Sequence, residues 1–239
     1  EPVPGLRGID YEMPMASAQV KSALLLAGLY AEGETCVIEP AVTRDHTERM
    51  LTAFGVPVDV KGPRVRITGG ASLTGGEVAV PGDISSAAFF LVGASIASQA
   101  SVTLTNVGLN PTRTGVIEIL QRMGASIDID ARHTDAGEPV GKLTVEPAPL
   151  QGIDIPPELV PLAIDEFPAI FVAAACAHGE TVLRGAEELR VKESDRIAVM
   201  AEGLARLGIE VHPQPDGIRI VGGQLRGGHV EAHGDHRIA

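Results

Sequence analysis

The sequence predicts an α/β (α+β) fold made of repeated βαβαββ units packed around buried helices. Three observations carry that prediction: a short motif that recurs along the chain, apolar segments too long and too uniform to be strands, and amphipathic helices that each end at a glycine. The motif is Leu-x-Gly, at Leu6-Arg7-Gly8, Leu73-Thr74-Gly75, Leu150-Gln151-Gly152 and Leu225-Arg226-Gly227. Its copies lie roughly 70 residues apart, a period that marks a repeat architecture.

Each motif opens a run that reads as a strand: Ile9–Met13, Glu77–Val80, Ile153–Ile155 and His229–Ala232. Three apolar, Ala-rich segments follow, Gln19–Leu29, Ser85–Ala97 and Phe167–Ala177. They are nearly apolar all round, which predicts buried helices. Asp83 and Asp165 precede two of them, and Pro168 suits a helix start. Strands come next at Thr35–Ile38, Ser101–Thr105 and Glu180–Leu183.

A second helix in each unit keeps apolar residues in one i, i+3, i+4, i+7 phase. The sets are Thr47, Met50, Leu51, Phe54; Val116, Ile119, Leu120, Met123; and Ile197, Met200, Ala201, Leu204. Gly55, Gly124 and Gly208 follow, each suited to a left-handed C-cap. The third of these helices reads as about one turn longer than the others. A strand pair closes each unit, with Asp216-Gly217 as a hairpin turn in the last. Gly69-Gly70 and Gly222-Gly223 read as hairpin ends. The fourth unit has only its opening run, so the expectation is a portion of a longer repeat protein.

Composition narrows the function. Nineteen Lys and Arg against 31 Asp and Glu give a net charge of −12. That balance argues against a nucleic-acid or membrane-surface binder, which needs a basic face. Aromatic residues are 3% and Trp is absent, so base-stacking platforms are not expected. No apolar run is long enough to cross a bilayer, and no signal-peptide pattern is present. Cys36 and Cys176 read as small core residues in a reducing, cytoplasmic setting. His229, His233 and His236 cluster without a cysteine and off any helix face, so no metal site is expected.

The cations sit against the helix dipole. Lys21, Arg44, Arg113, Lys192, Arg196 and Arg237 all lie at or near helix starts, where positive side chains are disfavoured. Singly, each reads as the partner of a nearby acid, Arg44 with Asp45 or Glu48 and Arg196 with Glu193. As a set they point instead to an anion site, for phosphate. Asp165, in an apolar stretch, reads as a helix N-cap, a general base, or both. Glu193, flanked by Lys192 and Arg196, reads as an ion-pair partner or as a proton-transfer group.

These motifs resemble the 5-enolpyruvylshikimate-3-phosphate synthase family, also called the 3-phosphoshikimate 1-carboxyvinyltransferases. Arg190-Val191-Lys192-Glu193-Ser194-Asp195-Arg196 and Gly234-Asp235-His236-Arg237-Ile238-Ala239 are similar to its most diagnostic segments. Ser17-Ala18-Gln19-Val20-Lys21, Arg44-Asp45-His46-Thr47-Glu48 and Asn110-Pro111-Thr112-Arg113 resemble its bacterial subclass often associated with glyphosate tolerance. The resemblance implies an inside-out α/β barrel of two domains with the site in the cleft between them, present here only in part. Residues 1–82 would be the last unit of the N-terminal domain. Residues 83–239 would be two units of the C-terminal domain and the start of a third.

The family transfers the enolpyruvyl group of phosphoenolpyruvate to the 5-hydroxyl of shikimate 3-phosphate and releases phosphate, on the way to chorismate and the aromatic amino acids. The resemblance implies Asp165 and Glu193 as catalytic. It implies Ser17, Ala18, Gln19, Arg44, Asp165 and Lys192 for shikimate 3-phosphate, and Gln19, Arg196 and Arg237 for phosphoenolpyruvate. It implies neither a metal nor an organic cofactor, and no partner beyond these two small molecules. Ala18 and Glu188 replace the enterobacterial Ser and Asn. The family's N-terminal Lys-Ser pair, its Gly-rich loop and Arg, and its C-terminal Lys have no counterpart here. The isolated chain is therefore expected to be inactive or nearly so, and to self-associate through exposed apolar surface. Two rival readings are a non-catalytic phosphate-binding fragment and a UDP-N-acetylglucosamine enolpyruvyl transferase. The second rival needs a reactive Cys on an exposed loop, and neither Cys36 nor Cys176 lies in one.

Overall fold

In a computed structural model, residues 5–97 and 101–239 are described. They form two compact units, Glu1–Val80 with His133–Pro139, and Pro81–Arg132 with Val140–Ala239. The described residues form mixed helix and sheet, with no closed barrel among them.

The first unit runs β1 (Leu6–Arg7), β2 (Asp10–Glu12), α1 (Ala18–Gly28), β3 (Ala31–Glu32), β4 (Glu34–Ile38), α2 (His46–Ala53), β5 (Val58–Lys61) and β6 (Arg64–Thr68). β2, β4, β6 and β5 lie side by side in that order, β2 parallel to β4 and the other pairs antiparallel. This is the expected βαβαββ order. The core is small: Leu25 from α1, Leu51 from α2, and Val37, Val65 and Ile67 from the sheet.

α1 departs from expectation. Only Lys21, Leu25 and Gly28 of it are buried, while Val20 and Leu26 are exposed. Within this unit strands β1, β3, β4 and β6 pack against the helix but leave Val20 and Leu26 exposed, so an all-round apolar helix keeps an open flank. In α2, Met50 also faces out and the buried pair is Glu48 and Leu51. Lys21 draws Glu48 inward, which turns the helix away from its apolar phase.

The second unit contains α3 (Ile84–Ile96), β7 (Val102–Gly108), α4 (Gly115–Arg122), β8 (Ser126–Asp135), β9 (Glu138–Glu146), α5 (Phe167–Cys176), β10 (Glu180–Leu183), α6 (Arg196–Arg206), β11 (Glu210–Gln214) and β12 (Gly217–Val221). The tip of the β8–β9 hairpin is the part grouped with the first unit. Two three-stranded sheets result, β7-β9-β8 and β10-β12-β11. α3 and α5 are the buried helices, and Phe167 and Phe171, one turn apart, stack at 5.8 Å between centroids. Asp83 caps α3 through Ser86 N–H at 2.9 Å. All four predicted apolar positions are buried in both α4 and α6. α6 has 11 residues against eight in α4 and α2. Gly55, Gly124 and Gly208 take φ of 86°, 95° and 89°, the left-handed caps expected.

The opening runs of the later repeats are not strands. Gly82 bridges Val107, and Gln151 and Asp154 bridge His178 and Val182, all parallel but isolated. Pro81, Pro156 and Pro157 cut these runs and lack the N–H that a ladder needs. Along Glu77–Val80 the Ala79 N–H goes to the Asp135 carboxylate instead. His229–Ala232 has no neighbouring strand to pair with among the described residues. The last hairpin turns at Pro215–Asp216, one residue earlier than expected, because Gln214 pairs with Gly217. Cys36 is buried, but Cys176 at the end of α5 is only half-buried.

The repeat glycine has a steric reason in two copies. A Cβ on Gly8 would lie 1.9 Å from the Glu34 carbonyl oxygen, and one on Gly152 would lie 2.3 Å from that of Glu180. Glu34 and Glu180 are the equivalent first residues of β4 and β10. A Cβ on Gly75 meets nothing within 4 Å. Gly152→Ala is therefore expected to destabilise by about 1–3 kcal/mol through forced backbone movement. Gly75→Ala is expected to change the urea midpoint little. Equal effects of the two substitutions would overturn the steric account.

Candidate functional site

In the second unit, the chain before α6 gathers charge. Asp195 caps α6 by accepting from Ala198 N–H at 2.9 Å. Arg196 opens the helix, and its side chain is 1% exposed as a residue. Its Nε donates to Asp235 Oδ2 at 2.9 Å, and its Nη2 to Glu193 Oε2 at 2.7 Å. Its Nη1 reaches Asp165 Oδ1 at 3.5 Å. Lys192 Nζ lies 3.6 Å from the same Asp165 oxygen and is paired with Glu188. Asp165 thus faces two cations, and Arg196 faces three carboxylates.

Asp235 holds the cluster from behind. It is fully buried and accepts from Ser194 Oγ, from Arg196 and from the Arg237 backbone N–H. Burial pushes its carboxyl pKa up, but the Arg196 hydrogen bond and those from Arg237 and Ser194 outweigh this, so it lies below the ordinary value. Burial likewise opposes the Arg196 cation, and Asp235, Glu193 and Asp165 outweigh it and hold its pKa above the ordinary guanidinium value. Arg190 braces the segment by donating to the carbonyls of Pro215 and Gln214 and to Asp195 Oδ2.

Asp165 is not a helix cap. The N-cap of α5 is Glu166, whose side chain makes no cap bond. The Glu166 carboxylate instead accepts from Ser85 Oγ, and Ser85 accepts from Arg113 Nη2 at 2.5 Å. Arg113 also pairs with Asp83 at 3.0 Å.

In the first unit, Ser17 caps α1, its Oγ accepting from Val20 N–H at 3.3 Å. Ala18 and Gln19 are the first helical residues, so their N–H groups face the open end of the helix. Gln19 is exposed, while Ser17, Ala18 and Arg44 are half-buried. Lys21 does not face the helix mouth. It is buried between Glu39 at 2.9 Å and Glu48 at 2.6 Å. In the same unit His46 Nδ1 lies 2.6 Å from Glu138 Oε1, and Arg49 donates to the Gly137 carbonyl.

The sequence profile of EPSP synthase (3-phosphoshikimate 1-carboxyvinyltransferase) matches residues 2–239. The chain belongs to the EPSP synthase family. A protein named 3-phosphoshikimate 1-carboxyvinyltransferase in Alkalilimnicola ehrlichii is 68% identical over 98% of this chain and 53% of its own length. A protein of the same name in Acidithiobacillus ferrooxidans is 66% identical over 98% of this chain and 54% of its own. The solved EPSP synthase of Acinetobacter baumannii superposes with a TM-score of 0.93 at 57% identity, covering 98% of this chain and 55% of that one. The chain thus spans about half the length of the relatives it matches.

The residues that the family resemblance singled out fall into two groups in this EPSP synthase-family chain. Asp165, Lys192, Glu193 and Arg196 come together in the second unit, where Arg237 joins through its backbone N–H to Asp235, and Ser17, Ala18, Gln19 and Arg44 lie in the first. Sequence reasoning missed Asp235, Glu39 and Glu48 as partners of the cations. The signal for Asp235 was present, since it lies inside the Gly234–Ala239 motif. Glu39 and Glu48 carried none. No helix is long and apolar enough to cross a membrane among the described residues. Among them, too, no group of three or more His, Cys, Asp or Glu could hold a metal, His229, His233 and His236 included.

Proposed function

We propose that the chain is part of an enzyme that joins phosphoenolpyruvate to shikimate 3-phosphate. The observation that carries this reading is Asp165 facing both Lys192 and Arg196 in a chain of this family. The substrate hydroxyl oxygen bonds to C2 of the enolpyruvyl group, and its proton passes to Asp165. Glu193 delivers a proton to the methylene carbon. Glu193, left as a carboxylate, takes a methyl proton back, the C2–O bond to phosphate breaks, and phosphate leaves with the enol ether restored.

In the first unit, the helix mouth at Ser17, Ala18 and Gln19, together with Arg44, takes part in holding shikimate 3-phosphate, and Gln19 also serves phosphoenolpyruvate. In the second, Lys192 and Asp165 hold the acceptor, while Arg196 and Arg237 hold the phosphoenolpyruvate anion. Cations aimed at anionic oxygens favour charge that develops during addition. Arg196 is already saturated by carboxylates, so Nη1 toward Asp165 is the edge it offers. The work belongs in the cytoplasm, and this chain alone turns over little or no substrate.

Calorimetric titration of the chain with shikimate 3-phosphate tests the reading, with Arg44→Ala and Lys192→Ala as variants. Saturable binding that weakens at least about tenfold in each variant is expected, a difference of about 1.4 kcal/mol. Binding that survives both substitutions, or none by the folded chain, overturns the residue assignment.

A further inference from the structure

We propose that Glu39 is a positioning residue that, with Lys21 and Glu48, sets the Arg44 loop against the first turns of α1. The inference rests on the proposed role of Arg44 in binding shikimate 3-phosphate. Glu39 follows β4 directly, and its side chain is 2% exposed. Both its oxygens are used. Oε1 accepts from Lys21 Nζ at 2.9 Å and from Thr43 Oγ1 at 2.5 Å, and Oε2 accepts from Thr43 N–H at 3.1 Å.

The loop's far side is held by the same helix. Lys21 Nζ reaches Glu48 Oε1 at 2.6 Å, and Ser22 Oγ hydrogen-bonds Thr47 Oγ1 at 2.6 Å. Lys21 N–H in turn donates to the Ser17 carbonyl. One buried cation on α1 therefore joins that helix to two further segments, the loop entry at Glu39 and α2 at Glu48. Arg44 lies between the two grips, next to the residue that Glu39 clamps. The loop has no ladder of its own, so its backbone geometry depends on these side chains.

A phosphate site built from a helix mouth and one guanidinium works only if their separation is fixed. Lys21 and Glu39 supply that fixity without touching ligand. The arrangement also accounts for a cation at a helix start whose partners are buried carboxylates.

Two measurements on this chain test the proposal. In the ligand-free protein, Glu39→Gln is expected to speed amide exchange at Thr43 at least about tenfold while β4 and β6 stay protected. Unchanged exchange overturns the grip. In titrations with shikimate 3-phosphate, Glu39→Gln is expected to weaken binding about tenfold, and to add nothing further to Arg44→Ala. Equal weakening with and without Arg44, or no weakening, overturns the positioning role. Glu39→Asp, which keeps the charge on Lys21 but is one methylene too short to reach Thr43, gives the same readouts if the Gln variant does not fold. A wild-type chain that binds no shikimate 3-phosphate overturns the proposed function of Arg44 and the positioning role built on it. Thr43 exchange then still decides whether Glu39 grips the loop.

Discussion

Lys21→Met is expected to destabilise the first unit by about 3–5 kcal/mol, the range for removing one partner of a buried ion pair. Methionine fills the lysine's volume, so a cavity is not the cause. The cause is two carboxylates, Glu39 and Glu48, left facing each other while 4% and 5% exposed. Glu48 Oε2 already has no hydrogen-bond partner among the described residues. A whole domain is stable by only about 5–15 kcal/mol, so the loss should remove most of the unit's cooperative unfolding transition. Adding Glu39→Gln and Glu48→Gln to Lys21→Met should restore part of the urea midpoint, because no unpaired charge then remains buried. A midpoint within experimental error of wild type in the single variant would sink the argument.

Arg196→Ala is the second large effect, about 3 kcal/mol at neutral pH. It sits at the low end of that range because Asp235 keeps Ser194 Oγ and the Arg237 N–H after the guanidinium is gone. The effect has a pH signature. Asp235 has its folded pKa depressed below the ordinary 3.8, so its charged form stabilises the fold above that value. That stabilisation is lost as pH falls through the folded pKa. In Arg196→Ala the burial of Asp235 loses its main opponent and the carboxyl pKa rises. The gap between wild type and variant should therefore narrow as pH falls to and below 3.8, where the wild-type stabilisation is lost. Urea midpoints across that range check it, and a gap that stays constant would show that Asp235 is not the group involved.

Much of the fold could be read from the chain because its signals are local. The phases of α4 and α6, the glycines that cap them and the Asp83 cap all depend on residues within a few positions of each other. The opening runs at Glu77–Val80 and His229–Ala232 failed as strands because a strand exists only where a neighbour completes its hydrogen bonds. Asp165 failed as a cap because Glu166, held by Ser85 from α3, takes the cap position. The site was legible where it is carried by contiguous motifs, above all Arg190–Arg196. It was not legible where ion pairs decide it.

The repeat, its helices and their glycine caps, the family, and the small set of charged residues worth testing were all legible in the chain. Those follow from periodicity, turn chemistry and contiguous motifs. Only the folded arrangement shows which acids each cation meets. Lys21 and Arg196 look alike in sequence, as positive residues at helix starts. Lys21 is buried between two carboxylates from β4's end and α2, whereas Arg196 is buried yet keeps one edge toward Asp165. The physical reason is that a charge's role depends on which opposite charges the fold brings within hydrogen-bond reach, and those come from segments far apart in the chain.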